Sequence, residues 1–421
     1  MSDRILDYTD FCVNGTTLID GQRINGLECF VSYGVIIHDA VDIPKLNAAL
    51  RKLYSETDCF HMHLEHSDDG LKSHFSESIS EDIHIIEPKG DTPEERLESA
   101  KSHVIKQSTC VRDRYKYSPF FTELFRIDEN EYFLAAYIDR YVSDGHSIGV
   151  ALMKLLGSYN GTVIAGGVSH MSMRDYARSL DNNELRNKSA EDAAYWHKHL
   201  CDYHIGPYIV NEECIPAFRN SPHFHYIPKK EFSQSARKLK ATTGSLLTAI
   251  YHLTIKSVFG ENDNVISYVS TDRNTLDEWG VIGPFVKPLS SRVVIDADDT
   301  LQSFVKKVSA EIGENIRHKS ASIRDIPLNR YGMSFLNHSK PFLTDSIYTQ
   351  WMPDLLMDNV DASFIYLRMQ ELSDVIEIEF VCPRDKINRT DYENVIEHFT
   401  RYADAVTKHS PDAILRSIIK E

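Results

Sequence analysis

The chain has 421 residues, of which 42% are hydrophobic and 26% charged, and it carries a net charge of −16 at pH 7. That balance is ordinary for a soluble globular protein, and the length suggests two lobes of about 200 residues each. The acidic charge argues against nucleic acid as a partner, because binding it requires a strong basic field.

No uncharged apolar run reaches about 18 residues, so no membrane span is expected. The opening MSDRILDYTD lacks a basic segment followed by an apolar one, so no secretory signal is expected either. Seven cysteines (Cys12, Cys29, Cys59, Cys110, Cys201, Cys214 and Cys382) are scattered and never spaced as CxxC. Reduced thiols in a cytoplasm are the expectation, and a zinc cluster or disulfide frame is not.

In chain order, residues 28–38 read as a strand, followed by a helix over Ile43–Tyr54 with Leu46, Leu50 and Leu53 at helical spacing. A second helix is expected over 94–109, opening on Glu94-Glu95 and carrying Lys101 and Lys106 later, a polarity that suits the helix dipole. Two strands, FFTELFRI and YFLAAYI, flank the turn cluster Asp128-Glu129-Asn130. The second strand runs into Asp139-Arg140-Tyr141-Val142-Ser143-Asp144-Gly145-His146-Ser147. A helix over Ser147–Tyr159 follows, with Ile148, Leu152, Leu155 and Leu156 on one face and Ser147 able to cap its start.

The small-residue stretch 160–172 breaks the pattern and marks the expected lobe junction, giving lobes 1–165 and 166–421. Beyond it come a helical segment ending in AEDAAYWHKHL and an irregular stretch with Pro207, Pro216, Pro222 and Pro228. A long helix spans roughly Ser245–Phe259, and the strand NVISYVST leads to Asp272-Arg273-Asn274. A strand pair around 284–295, a helix Thr300–His318, strands near 345–351, 362–370 and 375–381, and a helix Asp391–His409 complete the chain.

Four blocks in this order carry a resemblance. SPFFTELFRIDENEYFLAAYIDRYVSDGHSIGVALMKLLGSY is similar to a segment running through HHxxxDGxS into a helix, and DYARSL with AEDAAYWHKHL looks like a DYA…YW…L helix pair. TTGSLLTAIYHLTIKSVFGENDNVISYVSTDRN resembles the helix and strand leading to a GR turn, and VIGPFVKPLSSRVVI is close to IGxFVNTLPLR. The chain thus resembles, over nearly its whole length, the condensation-domain superfamily of nonribosomal peptide synthesis, related to chloramphenicol acetyltransferase.

The resemblance implies an α/β fold of two chloramphenicol acetyltransferase-like lobes forming a V around a central tunnel. In that family the HHxxxDG loop lies at the tunnel centre. A phosphopantetheine arm bearing the acyl donor enters one mouth, and the acceptor amine enters the other. The second histidine takes or orients a proton of the amine, a contribution of about 10²–10⁴-fold. The aspartate is structural and bridges to an arginine of the second lobe. Those places fall on Asp144 and Arg273, and Gly145 would keep the loop backbone close to the thioester.

The histidine pair is replaced by Asp139-Arg140. A guanidinium cannot serve as a base at neutral pH. In one reading Arg140 acts electrostatically, on an oxyanion, a substrate carboxylate or a phosphopantetheine phosphate, and a neutral amine needs little beyond proximity. In another the chain is a degenerate binding module for a carrier protein, tailoring enzyme or acylated partner. In a third, Asp139, Asp144 and Ser147 match the DxxxxDxxS signature of heterocyclisation domains. Against that, DASFIYLRMQ carries Ala362 and Arg368 where those domains place Thr and Asp. A coenzyme A-dependent acyltransferase is a further alternative.

His146, at a helix start, would be held neutral by the dipole and so base-competent, or would pack beneath the loop. Tyr348 and Trp351 are placed by resemblance at the tunnel wall, with core packing the alternative. The histidines of HMHLEH (His61, His63, His66) and HFH (His223, His225) have metal-like spacing, but no cysteine or carboxylate completes a set. His61 falls where the family often has an arginine at the base of the first lobe. The basic groups Lys229-Lys230 and Arg237–Lys240 are docking candidates for an acidic carrier, or simply solvated charges. No GxSxG elbow, Walker loop or Rossmann fingerprint occurs, and no carrier-serine, adenylation or thioesterase motif is present. The expectation is a monomeric stand-alone protein with no tightly bound cofactor. A phosphopantetheine-linked acyl substrate would reach it on an acyl or peptidyl carrier protein in trans.

Overall fold

The computed structural model describes residues 30–67, 70–75, 81–108, 110, 112, 116–162, 171–180, 183–203, 223–321, 326, 330–336, 347–351, 365–381 and 387–420. Pro207, Pro216, Pro222, Ala362, Cys12, Cys29, Cys214, Cys382 and most of the expected junction at 160–172 lie outside them. By contact the chain divides into two compact units. One comprises Met1–Asn183, Thr271–Val286 and Pro341–Leu356, the other Glu184–Ser270, Lys287–Lys340 and Met357–Glu421. The expected lobes, 1–165 and 166–421, are each one continuous stretch, whereas these units interleave along the chain.

The first unit is built on strands β1 (Phe30–Ile37), β4 (His84–Ile86), β5 (Phe120–Asp128), β6 (Glu131–Asp139) and β11 (Tyr348–Trp351), in the order β11-β1-β6-β5-β4. A separate hairpin joins β2 (Met62–Ser67) to β3 (Gly70–Phe75). β5 and β6 are the expected hairpin, in register Phe120↔Ile138, and β1 pairs antiparallel with both β6 and β11. Because side chains alternate across a strand, each face of the sheet has its own core. Val31, Val35, Leu134 and Ile138 pack with helices α1 (Ile43–Glu56) and α3 (Gly145–Asn160) through Leu46, Leu50, Leu53, Ile148, Leu152 and Leu155. On the other face Phe30, Phe121, Phe125, Phe133 and Tyr137 pack with Ala100 and Val104 of α2 (Pro93–Ser108). There Phe121 and Tyr137 stack with ring centroids 4.4 Å apart.

α3 is capped by Asp144, whose side chain accepts the Ser147 backbone N–H. Ser147, expected as the cap, is instead the third residue of the helix. The carboxylate three residues earlier reaches the open N–H groups, as capping geometry requires. The helix ends at Gly161, whose φ of 71° is the left-handed conformation glycine adopts without strain. The short helix α4 (Met173–Leu180) completes this unit's main helices.

The second unit carries a sheet of order β7-β13-β12-β10-β8-β9, from β7 (His223–Pro228), β8 (Asp263–Thr271), β9 (Val286–Val294), β10 (Tyr331–Leu336), β12 (Ile365–Glu371) and β13 (Val375–Val381). β10 runs parallel to β8 and β12, while β13 is antiparallel to β12 and β7. Its helices are α5 (Asn183–Leu200), α6 (Lys229–Lys238), α7 (Thr243–Phe259), α9 (Leu301–Arg317), α10 (Arg389–Lys408) and α11 (Leu415–Lys420), with the one-turn α8 (Leu276–Trp279) belonging to the first unit. Every residue of α7 from Ser245 to Ile255 is buried, which its nearly continuous apolar run anticipates.

The strand pair expected around 284–295 is one strand, β9. Pro288, which invites a break, sits on the edge strand of the sheet, where a missing N–H is tolerated. β7, β10 and α6 were not anticipated, although Phe232, Ala236 and Leu239, all buried, recur at helical spacing through α6 and the residue after it.

Candidate functional site

The residues of the turn after β6 are fixed mainly by buried hydrogen bonds. Asp139, 2% exposed, ends the strand, donating its N–H to the Pro119 carbonyl 2.8 Å away. Its Oδ1 accepts the Tyr141 N–H at 3.2 Å. Tyr141 is fully buried and its hydroxyl donates to the Met62 carbonyl at 2.8 Å. Arg140, between these two anchors, is half-buried.

Asp144 is the hub. Its Oδ1 accepts the Ser147 N–H at 2.9 Å, and its two oxygens receive the Arg273 guanidinium, Nη1 to Oδ2 at 3.1 Å and Nη2 to Oδ1 at 3.3 Å. Oδ2 also accepts the Phe285 N–H at 3.1 Å. The Ser147 hydroxyl accepts from Arg273 Nη2 and the Gly283 N–H, both at 3.0 Å, and donates to Asp144 or to the Gly283 carbonyl, each 2.8 Å away. Arg273 Nη2 further donates to the Val281 carbonyl at 3.1 Å, and the guanidinium lies over the Phe285 ring, 3.9 Å from its centroid. Burial pulls the Arg273 guanidinium below its ordinary pKa, and the neighbouring Asp144 opposes that shift.

Arg273, expected on the second lobe, packs within the first unit, in the segment Thr271–Val286. The expected Asp144–Arg273 pairing is thus formed inside one unit. Tyr176 of the DYA block joins it, its ring 4.5 Å from that of Phe285 and its hydroxyl 3.4 Å from Asp272 Oδ2. Burial first, then the Asp272 charge, raises the Tyr176 phenol well above its usual range.

The two glycines of the site differ. A Cβ on Gly283 would lie 2.4 Å from the Met173 sulfur and 2.9 Å from Phe285 Cε2, so packing excludes one. Among the described residues, a Cβ on the exposed Gly145 would meet only the Tyr33 hydroxyl, at 3.6 Å, so none of them demands glycine there.

His146 turns toward α8. Its Nε2 is 2.8 Å from the Trp279 carbonyl, and the two rings meet edge to face at 5.0 Å. A carbonyl only accepts, so Nε2 carries the proton and a neutral ring keeps its lone pair on Nδ1 alone. Tyr348 is 8% exposed in the core and hydrogen-bonds Asn160 at 2.8 Å. Asn160 closes α3, about 22 Å from Gly145 by helical rise. Trp351 pairs through its backbone with Gly34. The sequence did not single out Phe285, Gly283, Val281 or Trp279 individually, although the first three stand in the VIGPFVKPL block.

Elsewhere the candidates have structural partners. Lys229 Nζ binds Glu371 at 2.9 Å and the Leu372 carbonyl at 3.0 Å, while Lys230, Arg237, Lys238 and Lys240 are exposed. His61 Nε2 donates to the Tyr54 carbonyl at 2.8 Å, and Arg368 pairs with Glu379 across β12 and β13. His223 and His225 lie on β7, where burial lowers the His225 pKa. Among the described residues no three His, Cys, Asp or Glu side chains gather as a metal set. No helix among them is long and apolar enough to cross a membrane.

The family profile described as Condensation domain matches residues 25–330. Surfactin synthase subunit 1 of Bacillus subtilis is 22% identical over 396 residues, 87% of this chain and 10% of the relative. Subunit 2 of the same synthase is 20% identical over 307 residues, 69% of this chain and 8% of the relative. The chain therefore spans about a tenth of these curated relatives. Among solved structures, the X-domain from teicoplanin biosynthesis superposes with a TM-score of 0.78 at 16% identity, covering 99% of this chain and 97% of that one. The starter condensation domain of rhizomide synthetase superposes with a TM-score of 0.77 at 16% identity, covering 96% and 97%.

Proposed function

Because the chain belongs to the condensation-domain family, we propose that it transfers or condenses a carrier-bound acyl group with an amine or hydroxyl acceptor, without the family's motif histidine. The acyl group would arrive as a phosphopantetheine thioester on a carrier protein, within nonribosomal peptide or related secondary-metabolite biosynthesis. Coenzyme A is the alternative donor.

The observation that carries this reading is the buried network around Asp144. A carboxylate removed from water costs several kcal/mol unless it is paired and hydrogen-bonded, and here Arg273, Ser147 and Phe285 engage both of its oxygens. Such a network holds the turn that bears Arg140 in one geometry. In the proposed step a neutral amine attacks the thioester carbonyl, and the Arg140 guanidinium donates to the oxygen as negative charge builds there. The tetrahedral adduct collapses with loss of the thiolate, which takes up the proton the amine releases. Positioning then supplies most of the acceleration.

A second reading is favoured by a specific observation. Arg140 cannot accept a proton, and His146 is turned onto α8 by its Nε2–H bond to the Trp279 carbonyl, which leaves Nδ1 as its basic nitrogen. A non-catalytic module that recruits a partner protein fits this loop, and the teicoplanin X-domain, similar in fold, has been solved in complex with OxyB.

Incubating an acyl-loaded carrier protein with candidate amines and following the carrier by intact mass separates the two. Acyl loss dependent on this protein is expected, and its absence with every cognate pair would leave the recruitment reading. Arg140→Ala should lower turnover by about 10²-fold, as loss of one oxyanion donor does elsewhere, and unchanged turnover would remove Arg140 from the chemistry. Arg140→His asks whether base-assisted condensation returns.

A further inference from the structure

A second constellation of reactive side chains lies at the other end of the first unit's sheet. His38 follows β1, Glu131 opens β6 and Thr349 belongs to β11. These three strands are neighbours in the order β11-β1-β6. The register pairs Ile37 with Tyr132, which sets position 38 opposite Glu131, and it pairs Ile36 with Thr349. Positions 36 and 38 share a side of the strand because side chains alternate. His38, Glu131 and Thr349 therefore meet on one side of the sheet.

The distances are those of a relay. His38 Nδ1 is 3.0 Å from Glu131 Oε2, and its Nε2 is 2.9 Å from the Thr349 hydroxyl oxygen. A carboxylate only accepts, so in the neutral ring Nδ1–H donates to Glu131 and the lone pair lies on Nε2, where it receives the Thr349 O–H. A hydroxyl within reach of a base that a third group orients is the general arrangement of an activated nucleophile. The side chains of His38 and Glu131 are 42% and 31% exposed, and Thr349 is exposed, so a small substrate reaches all three. β11 is the edge strand of its sheet. An edge presents a row of outward N–H groups, the donor type an oxyanion requires.

We propose that Thr349, His38 and Glu131 form a second catalytic site, a threonine–histidine–glutamate triad that accepts an acyl group from small acyl esters. In the first step Thr349 Oγ bonds to the ester carbonyl carbon and its proton passes to His38 Nε2. The tetrahedral adduct then expels the alcohol, which takes that proton and leaves an acyl-threonine. Water repeats the sequence in the second step: its proton goes to Nε2, its oxygen bonds to the carbonyl carbon, and Thr349 departs and regains the proton. The products are a carboxylic acid and an alcohol, and no further reactant is needed. Glu131 touches no reacting atom and acts as the residue that positions the imidazole. The site shares no residue with the Asp144 network, so it does not depend on the acyl-condensing role.

The test uses the full chain and p-nitrophenyl acetate, read by release of p-nitrophenolate and by mass mapping of the peptide that contains Thr349. A burst of release is expected, with one acetyl group on Thr349. Thr349→Val, close in shape but without a hydroxyl, should abolish both. His38→Gln should slow the burst by about 10²-fold, the lower end of what a positioned base contributes. Thr349→Ser, a less hindered hydroxyl, should retain the burst. Glu131→Gln should move the pH profile of the burst, a readout that a merely structural role would leave unchanged. Acetyl groups found only on lysines, or release unchanged in both Thr349→Val and His38→Gln proteins whose circular dichroism matches the parent, would overturn the proposal. The trio would then serve only to tie the edge strand to β1.

Discussion

Asp144 and Arg273 are enclosed to an unusual degree for opposite charges, their side chains 3% and 0% exposed. A pair of this kind is weak evidence of net stabilisation, but removing one member strands the other in a low-dielectric interior. Arg273→Ala should therefore cost about 3–5 kcal/mol, measured by urea unfolding. The double variant with Asp144→Asn should lose less than the sum of the single losses, because the two side chains share one network. Strict additivity would show that the pair does not couple. This pairing was legible in the sequence, because both residues sit in recognisable blocks. The Phe285 amide and the Gly283 carbonyl were not legible, since a backbone group carries no sequence signature of its own. Thr349, His38 and Glu131 were invisible for a different reason. They lie far apart in the chain, and only strand order and register bring them together.

Elements are tied to one another by polar groups as well as by packing, and α7 gives the sharpest case. His252, fully buried on that helix, reaches Asn264 of β8 through Nδ1 at 2.5 Å and Ser291 of β9 through Nε2 at 3.1 Å. The amide oxygen accepts from Nδ1–H, so Nε2 is free to accept the Ser291 hydroxyl proton. Burial lowers the His252 pKa from 6.5 to about 4. The unfolded chain therefore binds a proton between pH 6.5 and about 4 that the folded chain refuses. Its stabilising effect is complete above pH 6.5 and is lost progressively as the pH falls toward 4. The loss is on the order of 3 kcal/mol. Urea midpoints collected across that window should fall with acidity in the parent and fall less in His252→Gln; equal slopes would show that another group governs the acid limb. The available signal was a histidine set among Leu246, Leu247, Ile250, Leu253 and Ile255 of the same helix.

For the whole molecule, the order of helices and strands was readable because period and turn chemistry agree over most of the chain. The partition into units was not, because it depends on contacts between distant segments. The first unit recruits Thr271–Val286, which carries Arg273, and Pro341–Leu356, which carries β11. A fragment ending at Asn183 lacks both. It would leave the Asp144 carboxylate without its cation and β1 with an uncovered edge. Such a fragment should not fold cooperatively on its own, and a sharp thermal transition by circular dichroism would contradict this. The same weaving constrains inheritance. A single crossover between two diverged genes, placed anywhere from codon 184 to codon 270, would join Asp144 from one parent to Arg273 from the other. Passing the first unit on whole requires three separated stretches of DNA to travel together, so viable chimeras should draw all three from one parent.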